Sequence, residues 1–241
     1  MIYTINNEPF YDLGKHVDYE SFEKLLPNIN YNIALSCDSI TPTGTSQSTL
    51  YNQDLKDVTG QAKTLRELTP NLGLTWKQYL HVAMFCNNAT TLGSGLYLTQ
   101  PKDSKDPRVF YHTKHSQSSW VKTQAAERFG FLFDWIDSQK CFVEYGRVMF
   151  FIVEQHSKGA MHRDNYKFKE EPDDFLYIQP SSGKRLCLFD SDTNQKVYNE
   201  HKVSLFNTNN WHSAENTSDS IGWSLRIDGV FTDEFKSRAL L

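Results

Sequence analysis

From residue 147 onward the chain is a series of short strand-like runs separated by turn residues, and this pattern sharply limits the possible folds. Residues 147–154 are nearly continuous apolar through Val148-Met149-Phe150-Phe151-Ile152-Val153, as in a strand covered on both faces. Residues 175–179 follow a Pro-Asp-Asp turn, and residues 185–190 follow Ser-Ser-Gly. Residues 197–207 read as strand with an Asn/Glu/His interruption, and residues 221–231 close the series. Regularly spaced short strands with turn signals belong to a sandwich, barrel or jelly roll. The connections are too short for helical crossovers, so the sheets are expected to be mostly antiparallel.

Before residue 140 the patterns are helical. Asp18 is placed to cap a helix that runs to Leu26 and stops at Pro27. A second candidate spans 61–68. Thr75-Trp76-Lys77-Gln78 has the form of a capping box and opens an apolar-periodic run to Cys86. The strongest pattern covers 120–136, where Trp120, Val121, Ala125, Phe129, Leu132, Phe133 and Ile136 recur near helical spacing. It predicts a helix buttressing a sheet. Segment 36–60 is rich in Ser, Thr, Asp and Asn and is expected to be a long loop or an active-site cover. The expected class is α+β, mainly β. A helix-rich region, 1–140, is expected to pack on a β core, 141–241, in one compact domain.

The composition excludes several functions. A formal net charge of −4 gives no general surface for duplex nucleic acid. The basic stretch 102–122, with Lys105, Arg108, His112, Lys114 and His115, reads as a solvated loop or a substrate-contacting loop. Cys37, Cys86, Cys141 and Cys187 are far apart and form no CxxC pair. That argues against structural zinc and against a disulfide framework, and predicts buried free thiols. The first residues carry no basic or apolar signal region and no stretch is long enough to span a bilayer, so a reducing cytoplasm and no membrane partner are expected.

Three residues stand out as candidates for a metal site. His162 and Asp164 form His-x-Asp after the long apolar run, and residues two apart on an extended chain point to one face. His212 follows several strands later, in Asn209-Asn210-Trp211-His212-Ser213. Two imidazoles and one carboxylate with open positions form a facial triad for non-haem iron(II). A hairpin at Thr217-Ser218-Asp219 would set His212 opposite Ser224, with Arg226 one same-face step along. A guanidinium there suits a carboxylate, because its planar fork binds both oxygens.

The order His162-x-Asp164, His212, Arg226, with the run Lys202-Val-Ser-Leu-Phe-Asn-Thr-Asn-Asn-Trp-His-Ser, resembles the iron(II)/2-oxoglutarate-dependent dioxygenase superfamily, in particular its phytanoyl-, prolyl- and aspartyl-hydroxylase relatives. The resemblance covers residues 147–231. It implies a double-stranded β-helix, that is, a cupin-like jelly roll. It also implies iron(II) on His162, Asp164 and His212, and 2-oxoglutarate as cosubstrate with its far carboxylate on Arg226. Decarboxylation of 2-oxoglutarate to succinate would be coupled, through dioxygen, to oxidation of a second substrate. Hydroxylation of a small molecule or a protein side chain is the expected outcome. Many relatives carry Arg-x-Ser on the last strand, whereas this chain has Arg226-Ile227-Asp228. An acid there would repel the cosubstrate unless it pairs with Arg226 or points away. Ser224 or Tyr177 would then supply the missing hydroxyl. His156 is a candidate for substrate contact or support of the metal ligands, and His81 reads as structural. Tyr51, Trp120 and the 97–115 loop are candidates for the substrate pocket. Two other readings stay open: a zinc-dependent hydrolase on the same His/Asp/His site, and a jelly-roll binding protein without chemistry.

Overall fold

The computed structural model describes residues 2–36, 40–42, 94–102, 119–153, 155–158, 174–180, 183–190 and 192–240. The helix candidates at 61–68 and 75–86 lie outside these residues, as do most of segment 36–60 and most of the basic stretch. Tyr51, His81, His112, His115, Cys37, Cys86, His162 and Asp164 also lie outside them.

In chain order the strands are β1 (Tyr11–Asp12), β2 (Ile40–Pro42), β3 (Ser94–Tyr97), β4 (Thr99–Pro101), β5 (Trp120–Lys122), β6 (Phe142–Val153) and β7 (Ser157–Lys158). They continue with β8 (Phe175–Ile178), β9 (Lys184–Asp190), β10 (Gln195–Tyr198), β11 (Val203–Leu205), β12 (His212–Asn216) and β13 (Gly222–Phe231). The helices are α1 (Tyr19–Leu35), α2 (Gly130–Ser138) and α3 (Asp233–Ala239). A seven-stranded sheet has the order β1-β11-β8-β13-β6-β3-β2, and a four-stranded sheet has the order β10-β9-β12-β7. β4 and β5 form a separate pair.

From β6 to β13 the chain passes repeatedly between the two larger sheets. β6, β8, β11 and β13 enter the large one; β7, β9, β10 and β12 enter the small one. Every paired strand is antiparallel. This winding is a jelly roll, a double-stranded β-helix. β10 and β11 sit in different sheets, which accounts for the polar interruption between them. There Asn199 turns the chain, accepting from the His201 amide at 3.1 Å and donating to Ser204 Oγ at 3.1 Å.

One face of the large sheet carries Leu96, Val148, Phe150, Ile152, Leu176, Ile178, Trp223, Leu225 and Ile227. These residues are buried in one apolar core with Phe22, Ile29 and Ile33 of α1 and with Leu132, Phe133 and Ile136 of α2. The helices therefore cover one face, and the small sheet faces the other.

Two helix expectations are corrected. Pro27 does not end the first helix, which runs on to Leu35. A proline inside a helix removes one ladder bond. Here tertiary contacts outweigh that loss: Ile29 and Ile33 are buried beyond it, and Asn30 Oδ1 accepts from the Trp223 indole at 2.7 Å. Asp18 does cap the helix, accepting from the Ser21 amide at 3.0 Å. The second correction concerns 120–136, which is no continuous helix. Trp120–Lys122 is strand β5, Gln124–Phe129 is a 3-10 turn, and the α-helix begins at Gly130. Strand pairing wins over periodicity there. Thr123 donates its hydroxyl to Tyr97 O at 2.8 Å and its amide to Leu98 O at 3.0 Å, which holds the approach extended.

Candidate functional site

Of the site residues named from the sequence, Tyr177, Ser224 and Arg226 lie on the large sheet and His212 on the small one. On the small sheet His212 pairs with Leu188, Ala214 with Leu186, and Asn216 with Lys184, so these six side chains share a face. That face is turned to the large sheet. Lys184 Nζ crosses to donate to Ser224 Oγ at 2.6 Å and to Phe151 O at 2.9 Å. Asn216 Nδ2 donates to Val153 O at 3.1 Å.

On the large sheet Ser224, Arg226 and Asp228 alternate onto this inner face of β13, and Arg226 lies opposite Tyr177. All four are buried. Tyr177 and Ser224 are hydrogen-bonded, and burial pushes the Tyr177 phenol far above its ordinary pKa. The three side chains assigned to the cosubstrate, Arg226, Ser224 and Tyr177, are thus brought together. Asp228 resolves the departure noted in the sequence. It accepts from Arg226 Nε at 3.0 Å and from Arg147 Nε at 2.7 Å. Burial pushes its carboxyl upward, but the two guanidiniums outweigh burial and hold it below the usual carboxylate range. The Arg226 guanidinium also lies 4.1 Å over the Phe175 ring.

Two members of the group escape sequence reasoning, Lys184 and Arg147. Lys184 is 2% exposed. Among the described residues it meets a hydroxyl, a carbonyl and the Phe151 ring, and no carboxylate. Burial holds its amine well below the ordinary lysine pKa. The two glycines beside it set its position. Gly183 has φ +79, and a Cβ on Gly222 would lie 2.6 Å from Lys184 Cβ.

His212 is buried at the start of β12, and its ring packs edge-on against Phe206 at 5.6 Å. Phe206 in turn contacts the rings of Phe175 and Tyr177, which links the histidine to the Arg226 cluster. His212 Nδ1 is 2.8 Å from Asn210 O. A carbonyl only accepts, so Nδ1 carries a proton. An imidazole that holds a metal through Nε2 carries its proton on Nδ1. The other two ligands assigned from the sequence, His162 and Asp164, lie outside the described residues. Among the described residues no group of three His, Cys, Asp or Glu side chains is placed to hold a metal.

The expected hairpin between β12 and β13 is corrected. The two strands do not pair: β12 joins β9 and β7, while β13 joins β6 and β8. Residues 217–221 carry the chain from one sheet to the other, so His212 and Arg226 stand on opposite sheets. His156 lies at the surface, 2.7 Å from Asp219. Trp120 packs beside Tyr97, Met149 and Phe151. Cys141 and Cys187 are buried free thiols. Among the described residues no helix is long and apolar enough to cross a membrane.

These features define a jelly-roll protein with a buried, cation-bearing interior. No protein-family model matches the chain, and no curated protein matches it. Among solved structures it is similar to a cupin domain from Bordetella pertussis Tohama I, at 17% identity and a TM-score of 0.25. That match covers 37% of this chain and 83% of the cupin domain.

Proposed function

We propose that the protein is an iron(II)- and 2-oxoglutarate-dependent oxygenase that hydroxylates a small molecule or a protein side chain. The observation that carries this reading is the buried lysine. Lys184 sits in the jelly roll among Ser224, Phe151 O and the Ser224-bonded Tyr177, on the same strand face as the row that ends opposite His212. A buried amine with hydroxyl partners and, among the described residues, no acid suits one carboxylate. From Lys184 to Leu188, the partner of His212, is four residues (188 − 184), or about 13 Å of strand. That is of the right order for a metal, a five-carbon dicarboxylate and an amine in a row.

In this reading His162, Asp164 and His212 hold the iron, which supplies dioxygen activation when bound. The far carboxylate of 2-oxoglutarate is received by Lys184, Ser224 and Tyr177. Arg226 adds positive charge from the neighbouring strand position, while Asp228 keeps its guanidinium oriented. The surrounding apolar side chains exclude water.

Anaerobic titration with iron(II) and then 2-oxoglutarate tests this through the weak visible charge-transfer band of the ternary complex. The band is expected in the wild type, lost in His212→Ala and weakened in Lys184→Met. Iron binding without a band would sink the cosubstrate assignment and favour hydrolytic chemistry at the same ligands. Absence of any metal binding would leave a binding protein without chemistry.

A further inference from the structure

The N-terminal segment reaches the loop before His212. Asn210 is buried, and its side-chain amide bonds twice to the backbone of Tyr3. Tyr3 N donates to Asn210 Oδ1 at 2.7 Å, and Asn210 Nδ2 donates to Tyr3 O at 2.8 Å. This is the reciprocal pattern that a neighbouring strand would make, formed across 207 positions of sequence. The main chain of the same residue is fixed as well. Asn210 N donates to Asn207 O at 3.1 Å, and Asn209 N donates to Asn207 Oδ1 at 2.9 Å. With its side chain, its amide and its neighbour all held, the Asn210 carbonyl has one direction, and that carbonyl accepts from His212 Nδ1. Phe206 closes another side of the ring.

We infer that Asn210, tied to the backbone of Tyr3, is a positioning residue that fixes the tautomer and the ring orientation of His212, so that Nε2 is presented to a metal ion. The inference rests on the proposed metal site for its purpose, but the tautomer belongs to the metal-free protein and is measured separately. The proton on Nδ1 is the feature to watch, because a loosened imidazole is free to exchange it for Nε2–H. Partners that orient a ligating histidine typically change metal affinity by about ten- to a hundredfold when removed.

The test uses the full chain. Nitrogen-15 NMR of the imidazoles reads the His212 tautomer without metal, and calorimetry with cobalt(II) reads affinity. The variants are Asn210→Ala, which cuts both bonds to Tyr3, and Tyr3→Pro, which deletes one backbone N–H and leaves the site residues intact. Wild-type His212 is expected as Nδ1–H. Asn210→Ala is expected to show mixed tautomers and about tenfold or more weaker cobalt binding, and Tyr3→Pro a smaller loss in the same direction. If Asn210→Ala does not fold, Tyr3→Pro decides. An Nε2–H tautomer in the wild type overturns the inference, as does an unchanged tautomer and affinity in the variants. A wild type with the Nδ1–H tautomer, sensitive to Asn210→Ala, but without metal affinity refutes the metal reading and leaves the tether standing.

Discussion

Lys184 folds at a cost that an anion would relieve. Its folded-state pKa lies below the unfolded value. Between the two values the unfolded chain holds the extra proton, so this residue makes stability rise as pH climbs from the folded pKa toward 10.5. Lys184→Met should flatten that rise in urea denaturation series run from neutral to alkaline pH. A carboxylate arriving beside the amine favours its charged form, so 2-oxoglutarate binding should draw in a proton. Calorimetry in two buffers of different ionisation heat measures that uptake. It should vanish in Lys184→Met, together with a loss of affinity of about tenfold or more. Asp228 has the same sign in an acidic window. Its pKa is lowered, so its contribution is complete above the unfolded value of 3.8 and is lost as pH falls through the folded value. Asp228→Asn removes the carboxylate shared by two buried guanidiniums and should cost about 3–5 kcal/mol in urea denaturation. Arg226, Ser224 and Tyr177 were legible in the sequence because strand alternation places them on one face. Lys184 was not. A lysine opening a strand after glycine reads as a solvated edge, and its burial depends on β13 crossing from the opposite sheet.

The elements separate into those set by local pattern and those set by partners. The long apolar strand β6 and the alternating β13 were readable because burial on both sides of a central strand leaves a periodic mark. The segment at 120–136 misled because its apolar spacing suits a helix, while β4 holds its first residues extended. The turn at 217–219 misled for a related reason. Turn residues announce a change of direction, but not whether the chain pairs with itself or crosses to a second sheet. Two glycines test these assignments. Gly222 lies where β13 begins, against Lys184 and Asn216. Gly222→Val should displace Lys184, lower the melting temperature and weaken 2-oxoglutarate binding. Gly130 opens α2 with helical angles, and a Cβ there meets nothing within 4 Å. Gly130→Ala should therefore stabilise the fold by about 0.5–1 kcal/mol with no effect on binding. If both variants melted alike, the close approach at Gly222 would not be what fixes Lys184.

At the scale of the molecule, described strands before residue 140 are built into the sheet that carries Arg226. β1 pairs with β11, and β2 and β3 extend the edge at β6. α1 reaches the outer face of β13 through the Asn30–Trp223 hydrogen bond and packs on α2 through Phe22 and Trp135 at 4.9 Å, while Phe129, in the turn before α2, meets Phe150 of β6 at 5.3 Å. The first residues reach the loop before His212. A helical cover was expected from the sequence, but the edge strands were not legible, since two-residue and three-residue strands leave too few positions for a period to register. A polypeptide of residues 141–241 keeps all eight jelly-roll strands, yet it exposes Phe150, Trp223, Leu225 and Ile227 on the face that the helices cover. It also opens the edges of β11 and β6, which invites strand pairing between copies. That fragment should bind a hydrophobic dye, self-associate, and melt without a cooperative transition, whereas the full chain should melt in one. A cooperative monomeric fragment would mean that the jelly roll is stable without its helical cover, and that the N-terminal region serves the site rather than the fold.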